Sequence, residues 1–384
     1  MLKLDFIILI SLLLVIAYLT GRVIQDKFSR GLSRYWTQSL LLIIAYSLIE
    51  GLRYLRGVDY SVYVDVFLGV SDRPEFLFGL LNDILGTFGV HFSVAFIAYS
   101  FIWIICLLIF LKEHKAYLAL LLPLMIISNW YYSENFIRQY LAFSFNLISI
   151  NYFLYGRWKK FMAASIIAVC FHTIAIAYVG LIIINCFYKK TYPIIITIPL
   201  YISFFVLSSG ATVFSSISQY ADLYLSSQLS GSRFEGYVEN SDRWFGEDAI
   251  SKDRYEKSTL SQIGMVIFDL LLMLYGYKIL QNKPDSYWIG IYNLFVYGAV
   301  FFQLFMNIEI LRRFAFCFYA FWPMMFVLVC NKWQFIPKYL LPRIGMIYLI
   351  IYITSYQIIK NIYLSNGGQL FIWDMGTNLE RIVH

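Results

Sequence analysis

The side chains best suited to chemistry in this sequence are arginines that stand at the ends of long apolar runs. An arginine inside such a run costs about 2.5–3.5 kcal/mol on insertion scales, so it usually has a partner or a function. Guanidinium groups stay charged and bind phosphate oxygens in pairs, so several of them around one cavity would suit a diphosphate. The alternative is that each arginine reaches lipid headgroups, with Glu134 or Glu309 as a salt-bridge partner. The candidates are Arg53, Arg56, Arg138, Arg233, Arg312 and Arg313.

A carboxylate beside aromatic rings forms a second candidate site, in the stretch that ends with Asp59, Tyr60 and Tyr63. The carboxylate would accept hydrogen bonds from sugar hydroxyls, and the rings would pack against the C–H faces of the sugar. Glu75 is a similar candidate for binding substrate. The alternative is an interfacial turn with tyrosines at the level of the headgroups.

His172 is the third candidate, because it is a single histidine inside an apolar run. It could act as a general base, or it could be a hydrogen-bonded structural residue. The other histidines are scattered, and the chain has no Asp-x-Asp, no Walker loop, no G-x-S-x-G and no H-E-x-x-H. We therefore predict no metal and no other cofactor, so that an enzyme of this kind would stabilise a leaving diphosphate with arginines.

The elements that must position these residues are membrane helices. Of the 384 residues, 60% are hydrophobic and 14% are charged, whereas soluble domains carry about 25% charged residues. The fold class that we predict is all-α, a polytopic membrane protein with about 10–12 transmembrane helices. The net charge of +7 comes from short loops and does not indicate a nucleic-acid partner. The five cysteines lie in apolar runs and need no disulfide.

Short basic loops indicate the orientation, because such loops remain in the cytoplasm. If all of them are cytoplasmic, the N-terminus lies outside. The basic clusters are Arg22/Lys27/Arg30/Arg34, Lys112/Lys115, Arg157/Lys159/Lys160, Lys189/Lys190, Lys278/Lys283 and Lys332/Lys338/Arg343. Apolar spans are predicted at 6–20, 37–50, 92–111, 116–130, 136–155, 161–187, 191–209, 260–280, 286–306, 314–330 and 343–360.

This orientation requires the run 161–187 to begin and end on the same side of the membrane. Its length of about 40 Å is too short for two crossings. We therefore predict a re-entrant segment or two half-helices bent near His172. The alternative is one long tilted helix, which would invert the topology of every later span.

We predict that residues 1–384 form a single transmembrane domain. The predicted outer segments are 51–91, 131–137, 210–259, 307–313 and 361–384. Apolar residues recur at helical spacing in 76–85 and again in 213–224, which predicts an interfacial helix in each of the outer loops 51–91 and 210–259.

Three short motifs in the centre of the chain resemble the EpsG family of bacterial membrane proteins, which belong with Wzy-type O-antigen and exopolysaccharide polymerases. An earlier stretch, Arg53–Tyr63, looks like the family's Arg-x-x-x-Gly-x-Asp-Tyr-x-x-Tyr signature, varied by Leu55 and Arg56, and Arg312 or Arg313 resembles a late family arginine. The three motifs are Arg138-Gln139-x-Leu141-Ala142, Gly156-Arg157-Trp158-Lys159-Lys160-Phe161 and Ala168-x-x-Phe171-His172.

The resemblance implies an inverting, metal-independent glycosyltransferase of GT-C-like architecture in the bacterial cytoplasmic membrane. Its donor and acceptor would be oligosaccharide repeat units on undecaprenyl diphosphate, joined at the outer face of the membrane. A chain-length regulator and a flippase are the further partners implied. The alternatives are a transporter or flippase of lipid-linked oligosaccharide, and another membrane glycan transferase or ligase.

Applied to this sequence, the resemblance gives each candidate residue a predicted role. The diphosphate would be bound by Arg138, Arg312 and Arg313, with Arg53 or Arg233 assisting. Asp59 or His172 would orient or deprotonate the acceptor. The remaining substrate-binding residues would be Gln139, Tyr60, Tyr63 and Glu75.

Overall fold

A computed structural model describes residues 4–57, 59–70, 75–208, 259–306, 309–336, 339–359 and 370–377. Within these ranges the chain is helical, apart from two strands of two residues each. Arg233 and the predicted interfacial helix 213–224 lie outside the described residues. The helices are α1 (Leu4–Ser29), α2 (Tyr35–Gly51), α3 (Tyr60–Phe67), α4 (Phe76–Thr87), α5 (Phe92–Leu111), α6 (Leu118–Asn135), α7 (Ile137–Leu154), α8 (Trp158–Phe171), α9 (Ala175–Phe187), α10 (Ile194–Ser208), α11 (Thr259–Asn282), α12 (Ser286–Leu304), α13 (Glu309–Tyr319), α14 (Trp322–Asn331) and α15 (Leu340–Tyr352).

Short elements complete the described fold. The strands are β1 (Arg53–Tyr54) and β2 (Leu370–Phe371), which pair antiparallel, with Arg53 opposite Phe371 and Tyr54 opposite Leu370. Tighter 3₁₀ turns cover Lys112–Tyr117, Trp333–Phe335 and Ile372–Thr377, and a π-helical stretch covers Ile353–Ile359.

Six helical segments are long and apolar enough to cross a membrane, as judged over the described residues. The protein is therefore a polytopic, all-helical membrane protein, as the composition predicts. One of the six segments, Phe92–Asn135, has 44 residues and contains both α5 and α6. The total of 10–12 crossings stays a prediction. The six segments are Leu4–Ser29, Phe92–Asn135, Ser261–Asn282, Ser286–Leu304, Leu311–Asn331 and Leu340–Ile359.

The chain divides into two compact units. Unit 1 contains Met1–Ile184 and Ile350–His384, and unit 2 contains Asn185–Leu349. Each unit is described separately below.

The basic loops of unit 1 meet at one end of its helices. The ammonium group of Lys115 lies 5.5 Å from the centre of the Phe28 ring and 5.9 Å from that of Tyr35. The Asn151 amide near the end of α7 donates to the carbonyl of Phe110 near the end of α5. The loops after α1, α5 and α7 therefore share one end, and these are the loops that carry three of the predicted cytoplasmic clusters.

The opposite end of unit 1 gathers segments that the sequence predicts on the outer side. The Trp373 indole donates to the carboxylate of Asp5 at 3.1 Å, and the β1–β2 pair joins the loop after α2 to the C-terminal segment. The first turn of α1, the loop after α2 and residues 370–377 thus lie together. This grouping agrees with the predicted topology, whereas the side of the membrane stays a prediction.

Residues 161–187 form two helices, so the alternative of one long continuous helix is wrong. The backbone is extended at His172, with φ −161° and ψ 125°, and this residue ends α8. Helices α8 and α9 have 14 and 13 residues, or about 20 Å each at 1.5 Å per residue, which is less than the hydrocarbon thickness of about 30 Å. The predicted bend at His172 is confirmed, and re-entry into the membrane stays a prediction.

The prediction that residues 131–137 form a loop is wrong, because most of this stretch is helical. Helix α6 continues to Asn135 and α7 begins at Ile137, so only Phe136 leaves the helical conformation, with φ −121° and ψ 55°. Side chains hold this last turn together, since the Trp130 indole donates to the Glu134 carboxylate and the Asn135 amide donates to a carbonyl one turn earlier. These bonds follow the i, i+4 spacing of a helix. The prediction of a polar loop does not take this spacing into account.

Helix α4 confirms the helix predicted over 76–85 and extends it to Thr87. One face is buried through Phe78 and Asn82, whereas Phe76, Leu80 and Ile84 are exposed large apolar side chains. An exposed apolar face of this kind is typical of a helix at a membrane interface.

The basic loops of unit 2 also lie together at one end of that unit. The Gln281 amide donates to the Thr191 hydroxyl at 2.7 Å, which brings the end of α11 to the Lys189/Lys190 loop. The ammonium group of Lys283 lies 6.0 Å from the centre of the Phe335 ring. The predicted clusters at 189–190, 278–283 and 332 therefore share an end, as a common cytoplasmic location requires.

The fold predicts opposite accessibility for the two ends of unit 1. In a variant without the native cysteines, we expect Trp373→Cys in intact cells to react with a membrane-impermeant thiol reagent. Arg157→Cys should react only after permeabilisation. Trp373 lies beside the first turn of α1 at one end of unit 1, whereas Arg157 is in the basic loop after α7 at the opposite end. Equal labelling of both variants in intact cells would contradict this topology.

Candidate functional site

Four residues predicted from the sequence come together in unit 1. The Arg138 guanidinium donates to the Glu75 carboxylate at 2.7 Å, although the two residues are 63 positions apart in the sequence. The other oxygen of Glu75 lies 3.9 Å from Nε2 of His172. The Arg138 guanidinium also donates to the phenol of Tyr63. We call Tyr63, Glu75, Arg138 and His172 the Arg138 cluster.

Helix ends position the members of this cluster. Glu75 stands immediately before α4 in extended backbone, Arg138 lies in the first turn of α7, and His172 ends α8. Helix α4 packs against α8, which brings Glu75 and His172 to the same place. Side chains at helix ends can carry charge without interrupting the apolar interior of a span, so these positions suit a polar site beside a membrane.

The exposure of the Arg138 cluster decides what it can bind. The Glu75 side chain is 8% exposed and that of Arg138 is 29% exposed. The carboxylate is therefore largely removed from water and needs its partner, whereas the Arg138 side chain is partly exposed. A partly exposed arginine that is held by a carboxylate is suited to binding an anion such as a phosphate.

The hydrogen bonds of His172 determine which ring nitrogen carries the proton. The backbone N–H of Ile174 donates to Nδ1 at 3.2 Å, so Nδ1 must present its lone pair. In the neutral ring the proton is then on Nε2, and this N–H faces Glu75. The arrangement makes His172 a donor at Nε2, whereas the sequence suggests a general base.

The phenol of Tyr63 is neutral and accepts hydrogen bonds from Arg138. Burial raises the pKa of its phenol above the usual value, and the nearby guanidinium of Arg138 lowers it by less. Asp59 lies one helical turn earlier, at the residue before α3, and its side chain is partly exposed. Asp59 is therefore close in sequence to Tyr63, a member of the Arg138 cluster. Its catalytic role stays a prediction.

Two predicted substrate-binding residues contact other parts of unit 1. The Gln139 amide donates to the Tyr178 hydroxyl and so connects α7 to α9. Tyr60 is buried, donates to the carbonyl of Arg53 at 3.2 Å and stacks on Phe96 with ring centres 4.8 Å apart. Both contacts position helices close to the Arg138 cluster.

A second group of charges is buried next to the first. Arg53 lies 3.3 Å from the Glu50 carboxylate, and Arg56 lies 3.5 Å from Glu50 and 3.4 Å from Glu134. Their side chains are 1–4% exposed. We call Glu50, Arg53, Arg56 and Glu134 the buried ion cluster. It has two positive and two negative groups, so its charges balance without a ligand.

Arg53 differs from Arg138 in what it can reach. Its guanidinium is 3% exposed and lies 4.9 Å from the centre of the Phe96 ring. A small cleft adjoins Glu50 and Arg53, and aromatic side chains form much of its wall. The aromatic residues are Tyr46, Tyr99, Trp103 and Tyr140.

The late arginines belong to unit 2. Arg312 is buried in α13, and its guanidinium donates to the carbonyl of Met306 at 3.3 Å. Arg313 is half-buried beside it. Their predicted role in binding a diphosphate stays a prediction, as does that of Arg233. Within the described ranges, no three His, Cys, Asp or Glu side chains are grouped closely enough to hold a metal ion.

Glu50 is missing from the residues predicted from the sequence, and Glu134 is predicted only as a salt-bridge partner of an arginine at a helix end, whereas the structure pairs Glu134 with the buried Arg56. A usable signal exists for Glu50, which precedes Arg53 by three residues and shares a helical spacing with it. The sequence also gives no acidic partner for His172, and the structure supplies Glu75. No local pattern could have revealed this pair, because it depends on the packing of α4 against α8.

The pair between Glu75 and Arg138 predicts a specific pattern of stability. Arg138→Ala should lower the free energy of unfolding by about 1–3 kcal/mol, because it leaves a buried carboxylate without its partner. Adding Glu75→Gln should recover part of this loss, because the charge is then gone. Thermal unfolding of the purified variants in detergent measures both effects. A double variant that is no more stable than Arg138→Ala, or that loses the sum of the two single losses, would contradict a direct pair.

Comparison with known proteins identifies a family. The sequence profile of the EpsG family matches residues 36–373, which is nearly the whole chain. No curated protein and no solved structure matches the chain significantly. EpsG proteins are a family of Wzy-like polymerases, and they are associated with polysaccharide synthesis at membranes. Because this profile matches nearly the whole chain and the fold is polytopic and helical, the chain belongs to the EpsG family.

Proposed function

We propose that this protein joins oligosaccharide repeat units carried on undecaprenyl diphosphate, by inverting glycosyl transfer at the outer face of the bacterial cytoplasmic membrane. The observation that carries the proposal is the Arg138 cluster, in which a carboxylate, a guanidinium and an imidazole N–H meet at the ends of membrane helices. These groups match the needs of the reaction, which are an acceptor for one proton and donors for a departing diphosphate.

Arg138 binds the diphosphate in this proposal. Its charge is permanent, its position is fixed by Glu75, and its side chain is partly exposed. Fixed donors in a water-poor site stabilise developing negative charge without first reorganising solvent, and the loss of one such donor typically costs a factor of about 10²–10³ in rate.

Glu75 accepts the proton of the attacking hydroxyl. One carboxylate oxygen is held by Arg138, and the other faces His172 across a gap of 3.9 Å. A sugar hydroxyl in this gap can donate to the carboxylate and accept from the imidazole. As its oxygen attacks the anomeric carbon, the proton passes to Glu75 and the bond to the diphosphate breaks on the opposite face. The configuration is inverted, as in a GT-C-like enzyme, and the step needs no metal.

The lipid part of the substrate matches the surface next to this site. Helix α4 begins directly after Glu75 and exposes Phe76, Leu80 and Ile84 along one face. A polyprenyl diphosphate likewise has a charged group joined directly to a long apolar chain. The polyprenyl chain would lie along this face of α4 while the diphosphate reaches Arg138.

Another membrane transferase is the second candidate, because a histidine beside a carboxylate also suits ligation of a glycan or transfer of an acyl group. The observation that supports this alternative is the distance of 3.9 Å between Nε2 of His172 and the Glu75 carboxylate. A transporter of lipid-linked oligosaccharide could use Arg138 for binding but would release its substrate unchanged. The product therefore separates the three functions.

The test is a reaction of purified protein with its undecaprenyl-diphosphate-linked repeat unit, without nucleotide sugar and with EDTA. We expect a ladder of glycan multiples together with free undecaprenyl diphosphate. Arg138→Ala should lower the rate by a factor of about 10²–10³. Arg22→Ala is the matched control, because Arg22 forms an exposed pair with Asp26 elsewhere in unit 1. A substrate that binds but keeps its size would contradict polymerisation.

Two replacements of His172 distinguish a donor from a base. His172→Gln places an amide N–H near the position of Nε2 but cannot titrate, whereas His172→Asn offers only a shorter group near Nδ1. A donor role predicts that His172→Gln retains more activity than His172→Asn and that its rate keeps the dependence on Glu75. Complete loss in His172→Gln, with Glu75→Gln still active, would instead make the imidazole the base.

A further inference from the structure

The buried ion cluster holds the end of α6. Arg56 is fully buried and contacts the carboxylate of Glu134 at 3.4 Å. The Trp130 indole donates to the same carboxylate oxygen at 3.1 Å. Glu134 lies in the last turn of α6, two residues before Phe136. The loop after α2 thus holds the helix at the point where it ends.

The backbone of this loop also lies against Glu134. Gly57 has a φ of +97°, and a Cβ atom at this position would lie 2.5 Å from the carbonyl oxygen of Glu134. Only glycine accommodates both the conformation and the close approach. Residues 53–57 and the end of α6 are therefore fitted to one another through side chain and backbone.

The break between α6 and α7 determines the position of Arg138. Phe136 alone separates the two helices, and Arg138 is the second residue of α7. Because the break consists of one residue, a change in the direction of the last turn of α6 displaces the first turn of α7. A displacement of about 1 Å is enough to lower a rate a hundredfold when a bound group must be aligned.

The C-terminal segment covers this cluster. The Phe371 ring lies 4.7 Å from the Arg56 guanidinium carbon and is itself fully buried, and Phe6 covers the guanidinium at 5.3 Å. The β1–β2 pair and a bond from the Ile372 N–H to the carbonyl of Leu52 hold the segment in place. Arg56 is thereby kept from water and restricted to its carboxylate partners.

We propose that Arg56 is a positioning residue, which through Glu134 fixes the break between α6 and α7 and so places the Arg138 guanidinium against Glu75. This proposal rests on the proposed function for its effect on catalysis. It gives Arg56 a role different from that of the diphosphate-binding arginines, although Arg56 stands in the same stretch of sequence as Arg53.

The test combines a balanced substitution with Arg138→Ala. Arg56→Met together with Glu134→Gln removes one positive and one negative charge, so that Glu50 and Arg53 remain as a neutral pair. We expect this double variant to lower the polymerisation rate by at least about tenfold when Arg138 is present and by less than about twofold when it is alanine. Equal factors in both backgrounds would overturn the proposal.

The matched control removes the other half of the cluster. Glu50→Gln together with Arg53→Met leaves Arg56 paired with Glu134, with the same charge balance. Its effect on rate should be the same with Arg138 and with alanine at position 138, because the end of α6 is still held. The same dependence on Arg138 in this control would mean that the whole cluster, rather than Arg56 and Glu134, positions Arg138, and would overturn the proposal.

A readout that does not need activity separates this inference from the proposed function. In the wild-type background, Arg138→Ala should clearly lower the Tm. In the Arg56→Met/Glu134→Gln background it should lower the Tm much less, because Arg138 no longer contacts Glu75 there. This difference is expected even if no glycan is polymerised. Equal shifts in Tm in both backgrounds would overturn the positioning role, and Arg56→Lys, which keeps the charge, provides the check that the fold is retained.

Discussion

The structure of unit 1 depends on the cost of burying charge in a place with little water. A buried ion pair contributes little net stability, but the loss of one partner is strongly destabilising because it leaves the other uncompensated. Glu50, Arg53, Arg56 and Glu134 satisfy this constraint among themselves with contacts of 3.3–3.5 Å. They therefore require the loop after α2 and the end of α6 to be in one particular arrangement.

The same constraint separates structural from functional arginines. Arg53 and Arg56 are 3% and 1% exposed and are neutralised within the cluster, whereas Arg138 is 29% exposed and uses only part of its guanidinium on Glu75. Only the second kind has a partly exposed side chain that can meet a ligand. Exposure at a helix end, and not the presence of an arginine, is what suits Arg138 to a diphosphate.

Much of the fold is readable from the sequence, because apolar length and basic loops act locally. The helices, the shared ends of the basic loops, the first turn of α7 at Arg138 and the bend at His172 follow from such patterns. The partners do not. Glu75 and Arg138 are 63 positions apart, and their contact depends on how α4 packs. From sequence alone Arg53 and Arg138 look alike, because the burial of Arg53 against Phe96 leaves no local signal.

The pairing of β1 with β2 has a consequence for biogenesis. Residues 370–377 are synthesised long after the loop that follows the second helix, yet Phe371 covers Arg56 in that loop. Contacts between distant parts of a chain form late and slowly. Until the C-terminal segment docks, the first helices are inserted with their charge cluster still open on one side. Docking of residues 370–377 is thus what closes the cluster, so a chain truncated before Leu370 would leave Arg56 uncovered on that side.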